Sequence, residues 1–179
     1  DVVSQTYFVT TSNLAQYQDL TVVSLVTNPE NLFDPDTGIY VTGNQYLDWK
    51  NSDAYNPDKS VWDTDNLTNY FSKGKEWERE AALTVFQDGK AVVDQNIGIR
   101  IKGASSRNSA QKNFNLYARS TYGASKISYP LIPDNYAADG TLIDQYDSVS
   151  LRAVSEEGRL RDGFSQKLLT DRTDLTKQD

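Results

Sequence analysis

The sequence predicts an α+β domain built mainly from antiparallel strands, with one helix. Three observations carry this: short runs of β-branched residues bounded by turn signals, an Asp88-Gly89 pair between two apolar runs, and a single apolar stripe at helical spacing formed by Leu160, Phe164 and Leu168. With 179 residues the chain is long enough for one apolar core and short for two, so one domain over 1–179 is expected.

Taken in order, "QTYFVT" reads as a weak strand, and "DLTVVSLVT" from Asp19 to Thr27 as a buried one, ending at the turn signal Asn28-Pro29. Asp34-Pro35-Asp36-Thr37-Gly38 predicts a tight acidic turn before a short strand, Ile39 to Val41. From Thr42 to Lys75 the pattern dissolves into polar and aromatic residues, and a loop of this length is usually functional. "AALTVFQDGKAVVDQNIGIRIKG" predicts a β-hairpin, because Asp-Gly between apolar runs supplies the positive φ angles of a tight turn. "DSVSLRAV" alternates as a further strand, and the Leu160–Phe164–Leu168 stripe predicts the helix. Thr173 reads as the cap of another helix, within whose first turns the sequence stops at Asp179.

Composition narrows the chemistry. There is no Cys and no His, which removes disulfides, thiol nucleophiles, imidazole acid/base catalysis and Cys/His zinc sites. Carboxylates, Lys, Arg and hydroxyls remain, or a metal held by oxygen. Asp53, Asp58, Asp63 and Asp65 in the long loop are candidates for Ca²⁺ without the spacing of an EF-hand, and solvated loop charge is the alternative. Asn66-Leu67-Thr68 is a glycosylation sequon by pattern. No run approaches the roughly 18 apolar residues of a membrane span. The absence of Met predicts a chain processed or excised from a longer one, and the absence of Cys beside abundant Tyr, Asn and Asp suits a bacterial extracellular protein.

Net charge is −7, which argues against nucleic acid as a partner. The distribution says more. Between Gln95 and Pro133 there is no acidic residue, while Arg100, Lys102, Arg107, Lys112, Arg119 and Lys126 all fall there, leaving 12 basic against 25 acidic residues elsewhere. Strand phase puts Lys112 on one face with Phe114, Leu116 and Ala118, and Asn113, Asn115, Tyr117 and Arg119 on the other. A lysine in line with an apolar face either snorkels to water or has its ammonium held by an anion in a cleft. The preceding "GASSRNSAQ" offers Gly103 for close backbone approach, Ser105 and Ser106 as hydroxyl donors, and Arg107 as a planar fork, the kinds of group that hold phosphate. It is not a Walker A loop, since it lacks Gly-Lys-Ser/Thr and leads into a strand, and a solvated hairpin loop is the alternative. Protein kinases also set a strand lysine against ATP phosphates with a helix carboxylate paired to it, a part open here to Glu156, Glu157 or Asp162.

Six blocks in order carry a resemblance: "VVSLVTNPENLFDPDTGIYVTG", "KEWEREAALTVF", "GIRIKGASSRNSAQKNFNLYAR", "ISYPLI", "DSVSLRA" and "RLRDGFSQKL". Together they resemble the CotH family, secretory-type atypical protein kinases named for a bacterial spore-coat protein. The third block is the most specific, and the second departs mildly. The resemblance implies a kinase-like upper-lobe portion that binds ATP with Mg²⁺, in a secreted or cell-surface protein that transfers phosphate to protein Ser/Thr. It places Ser105, Ser106 and Arg107 over the nucleotide phosphates, Lys112 against an ATP phosphate, and Arg152, Arg161 and Asp162 in a strand–helix segment behind the site. The family's catalytic and metal-binding aspartates fall in a C-terminal half beyond Asp179, so the chain alone is expected to be inactive. The rival expectation is an extracellular structural or interaction module, binding glycan or protein through Tyr46, Trp49, Tyr55 and Trp62.

Overall fold

In the computed structural model, which describes residues 20–59, 67–153 and 168, the chain is an α+β structure around one antiparallel sheet. Its strands are β1 (Val22–Val26), β2 (Arg79–Gln87), β3 (Lys90–Lys102), β4 (Asn113–Tyr117) and β7 (Ser148–Leu151), in the order β1-β2-β3-β4-β7. β5 (Ile127–Ser128) and β6 (Gln145–Tyr146) form a separate two-stranded ribbon. Among residues 20–153 the described helices are short: α1 (Pro29–Phe33) and α2 (Asn44–Lys50), with single 3₁₀ turns at Asn69–Phe71, Lys75–Trp77 and Ser105–Asn108. Among the described residues no helix is long and apolar enough to cross a membrane.

The central hairpin follows from its turn. Asp88 and Gly89 both take positive φ, 50° and 73°, the geometry whose twist matches the flanking strands. Val85 pairs with Val93 but Phe86 with Ala91, so Val92 is an extra residue that bulges β3 and resets its phase. Beyond the bulge Ile97, Ile99 and Ile101 face one side with Leu83 and Val85 of β2 and Leu116 of β4, and all six are buried. Burying each such side chain contributes about 1.5–3 kcal/mol, so this face is the main source of stability. The opposite face of β3 carries Gly98, Arg100 and Lys102.

Several expected elements differ. β1 is shorter than expected and only half-buried; it pairs with β2 alone among the described residues, leaving Val23 and Val26 exposed. Asn28-Pro29 opens α1, with the Asn28 side chain accepting from Glu30 N at 3.1 Å and Pro29 at the first helical position. Ile39–Val41 is not a strand. Ile39 N donates to Asn31 O and Tyr40 N to Leu32 O, so these amides are spent on the α1 segment and not on a sheet neighbour. The side chains still serve the core, Ile39 fully buried and Tyr40 stacked on Phe114 at 6.0 Å. Among the described residues of 42–75 lie α2 and the 3₁₀ turn at Asn69–Phe71, with another starting at Lys75, none with an apolar stripe that periodicity would reveal. The "QTYFVT" strand and the cap at Thr173 lie outside the described residues, as does the 160–168 helix except for Leu168, which is helical and exposed.

Candidate functional site

The loop from β3 to β4 is built inward from its arginine. Gly103, at φ 122°, turns the chain out of β3, and a side chain there would run into Ser106 Oγ. The Ser105–Asn108 turn then drives Arg107 beneath the loop. Arg107 is buried, with Nε donating to Gly103 O at 2.7 Å and Nη1 to Tyr70 O and Ser72 O, each at 3.0 Å. A planar fork thus ties the loop to the 69–72 segment, helped by Tyr70 OH donating to Asn108 Oδ1 at 3.0 Å.

Lys112 lies on the core side, as strand phase predicts, and is buried. Its Nζ donates to Arg107 O at 2.8 Å and Ser109 O at 3.0 Å, and sits 4.1 Å from the Tyr70 ring and 5.2 Å from the Tyr40 ring. Tyr40 completes the enclosure, donating to Ala110 O and accepting from Lys112 N. Burial away from water pushes the Lys112 ammonium below its ordinary pKa. Two carbonyls and two aromatic faces therefore hold this charge, which makes Lys112 the internal tie of the loop.

An open pocket lined by cations lies beside it. A pocket of about 210 Å³ is lined by Ser72, Lys73, Gly74, Arg100, Ile101, Arg107, Asn115 and Tyr117. Three of these are cationic and none is a carboxylate; Glu76, against Gly74, and Glu78, beside Arg100, stand outside the lining. Burial first, then the positive charge of Arg100, lowers the pKa of Arg107. The two guanidiniums thus repel each other in the lining, and an anion between them relieves that repulsion.

Arg100 is held from behind. Its Cζ stacks on the Tyr117 ring at 4.2 Å, and Arg119 Cζ lies 4.9 Å from the same ring. Glu78, with its side chain 1% exposed, accepts from Arg119 Nε at 2.7 Å and Nη2 at 3.1 Å and from Tyr122 OH at 3.0 Å, while Arg100 Nε is 3.5 Å away. The hydrogen bond to Glu78 raises the Arg119 pKa; burial, then Glu78, raises that of Tyr122.

Of the described residues given a phosphate-binding or supporting part in the sequence, the fold brings Arg107 and Lys112 together and places only Arg107 in the pocket, where Arg100 of the basic segment joins it. Ser105 is exposed, and Ser106 Oγ accepts from Asn113 Nδ2 at 3.1 Å. Arg152 follows β7 and is exposed; Arg161 and Asp162 lie outside the described residues. Lys73, Tyr117 and Glu78 were missed. Lys73 carries no local signal, whereas Gly98 inside the apolar run of β3 marks the close approach that Glu78 fills. Phosphate suits the pocket's donors. Mg²⁺ would need several oxygen ligands, and among the described residues, Asp53 and Asp58 included, no three acidic side chains gather as a metal would require. Comparisons with protein-family models, with curated proteins and with solved structures each return no match.

Proposed function

We propose that this chain supplies the phosphate-binding part of a nucleotide-dependent phosphotransferase. The observation that carries the reading is the convergence of Lys73, Arg100 and Arg107 on one small pocket free of lining carboxylates in a protein of net charge −7. Its volume lies below the roughly 300 Å³ at which small-molecule sites begin, a size suited to phosphate groups with the rest of the nucleotide outside. On this reading Arg107, Arg100 and Lys73 contact the phosphates and Lys112 shapes the loop. The finer reading, ATP-dependent transfer to protein Ser/Thr by a secreted CotH-like kinase, is supported by the resemblance, with Mg²⁺ and the catalytic carboxylates supplied from outside the described residues.

Calorimetric titration with ATP and with pyrophosphate tests the pocket. Both are expected to bind, more weakly as salt rises. Arg100→Gln is expected to lower affinity by roughly ten- to a hundredfold, the scale of one lost hydrogen bond to a charged group. Absence of binding at millimolar ligand would sink the proposal.

A second reading, an extracellular interaction module, is favoured by the aromatic cluster at α2. Trp49 sits 5.6 Å from Tyr46 and 5.2 Å from Tyr55, on a helix with no buried residue. On this reading Trp49→Ala abolishes glycan or protein binding that Arg100→Gln leaves intact, and a glycan array probed with both variants decides between them.

A further inference from the structure

Arg100 is an unusual lining residue because its own protein partners leave its donors unspent. Among the described residues no hydrogen bond engages its guanidinium; Nε is buried without an acceptor in bonding geometry, and the closest carboxylate oxygen, Glu78 Oε2, lies 3.5 Å off. What fixes it is the Tyr117 ring, which Arg119 also meets, together with the 3.5 Å ion pair to Glu78; Glu78 in turn clamps Arg119 through two bonds. Glu78 reaches this position only because residue 98 is glycine: a Cβ there would fall 2.5 Å from Glu78 Oε1 and 2.7 Å from its Cδ and Cγ. The carboxylate is therefore committed to Arg119 and Tyr122, while its charge still attracts Arg100 without consuming the donors an anion would use.

We propose that Glu78 is a positioning residue for the anion pocket, holding Arg100 in the lining by its own charge and through Arg119 and the Tyr117 ring. The inference rests on the reading of the pocket as a phosphate site and adds a residue that does not touch the ligand.

Its test turns on a sign. Removing a negative charge beside an anion site strengthens anion binding by electrostatics alone. Loss of a positioning carboxylate weakens it, by roughly tenfold or more where an orienting partner is lost. Titration of pyrophosphate into the wild-type chain and Glu78→Gln is expected to show this weakening. Tyr122→Phe, which removes a bond to Glu78 but no charge and no pocket group, is expected to bind like wild type, although both variants lose stability. Should Glu78→Gln fail to fold, Glu78→Asp keeps the charge but withdraws it by one methylene, and is expected to weaken pyrophosphate several-fold. Equal or tighter binding by Glu78→Gln, unchanged binding by Glu78→Asp, or a Tyr122→Phe loss matching that of Glu78→Gln overturns the positioning role while leaving the pocket intact. A wild-type chain that binds no pyrophosphate overturns the pocket reading and this inference with it.

Discussion

Gly98→Ala is expected to lower stability by about 3 kcal/mol, the low end of the range for breaking a buried ion pair, because Glu78 is buried while its partner Arg119 is a third exposed. The substitution adds one methyl group and leaves backbone conformation out of account, since Gly98 is not among the glycines at positive φ. The cost is steric and electrostatic. The new Cβ would overlap the Glu78 carboxyl group, which is hemmed in by Arg119, Tyr122 and Arg100 with its side chain 1% exposed. Displacing it costs a buried carboxylate its bonds to Arg119 and Tyr122, so the loss falls at the top of the 1–3 kcal/mol usual for adding one carbon to a packed core. A double-mutant cycle isolates the cause. In a Glu78→Ala background the clash and the stranded charge are both gone, so Gly98→Ala there should cost under about 1 kcal/mol, giving a large coupling energy. Urea denaturation of the four proteins measures it; equal cost in both backgrounds would place the damage elsewhere in β3.

The same network shows what the sequence could and could not disclose. Local features were legible wherever a short stretch sets its own geometry: Asp88-Gly89 forms the hairpin turn, and alternation along β4 puts Lys112 in line with Leu116. Ile39–Val41 has strand-like residues and a non-strand conformation, because hydrogen bonds to the α1 segment decided it. α2 escaped notice because periodicity detects buried faces and this helix has no buried residue. The pocket joins Lys73, Arg100, Arg107 and Tyr117, which only tertiary pairing brings together, and Glu78 meets Arg119 across 41 residues of sequence. Charge counting found the basic segment; it could not tell that Lys112 is enclosed by carbonyls and aromatic rings while Arg100 faces an opening.

Lys112→Met makes that distinction measurable. It keeps the unbranched stem of the side chain, short by the terminal amino group between the Tyr40 and Tyr70 rings, and so removes the donors to Arg107 O and Ser109 O. Each carbonyl left unsatisfied costs about 1–3 kcal/mol. Lost cation–π attraction adds roughly 0.5–2 kcal/mol. Relief from desolvating an ammonium offsets part of this, so a net loss of about 2–3 kcal/mol is expected. Ionisation supplies a second signature. Burial holds the Lys112 pKa below the ordinary 10.5, so between that lowered value and 10.5 the unfolded chain retains a proton the folded chain has released. Stability contributed by this group therefore rises with pH through that window, and the rise should vanish in Lys112→Met when denaturation midpoints of the two proteins are compared across alkaline pH. Arg107 keeps its own bonds to Gly103, Tyr70 and Ser72, so pyrophosphate affinity of the folded variant should stay within about threefold of wild type, less than 1 kcal/mol. A loss beyond tenfold in a fully folded variant would return Lys112 to direct contact with the anion, and would require its amino group to leave both carbonyls when phosphate binds.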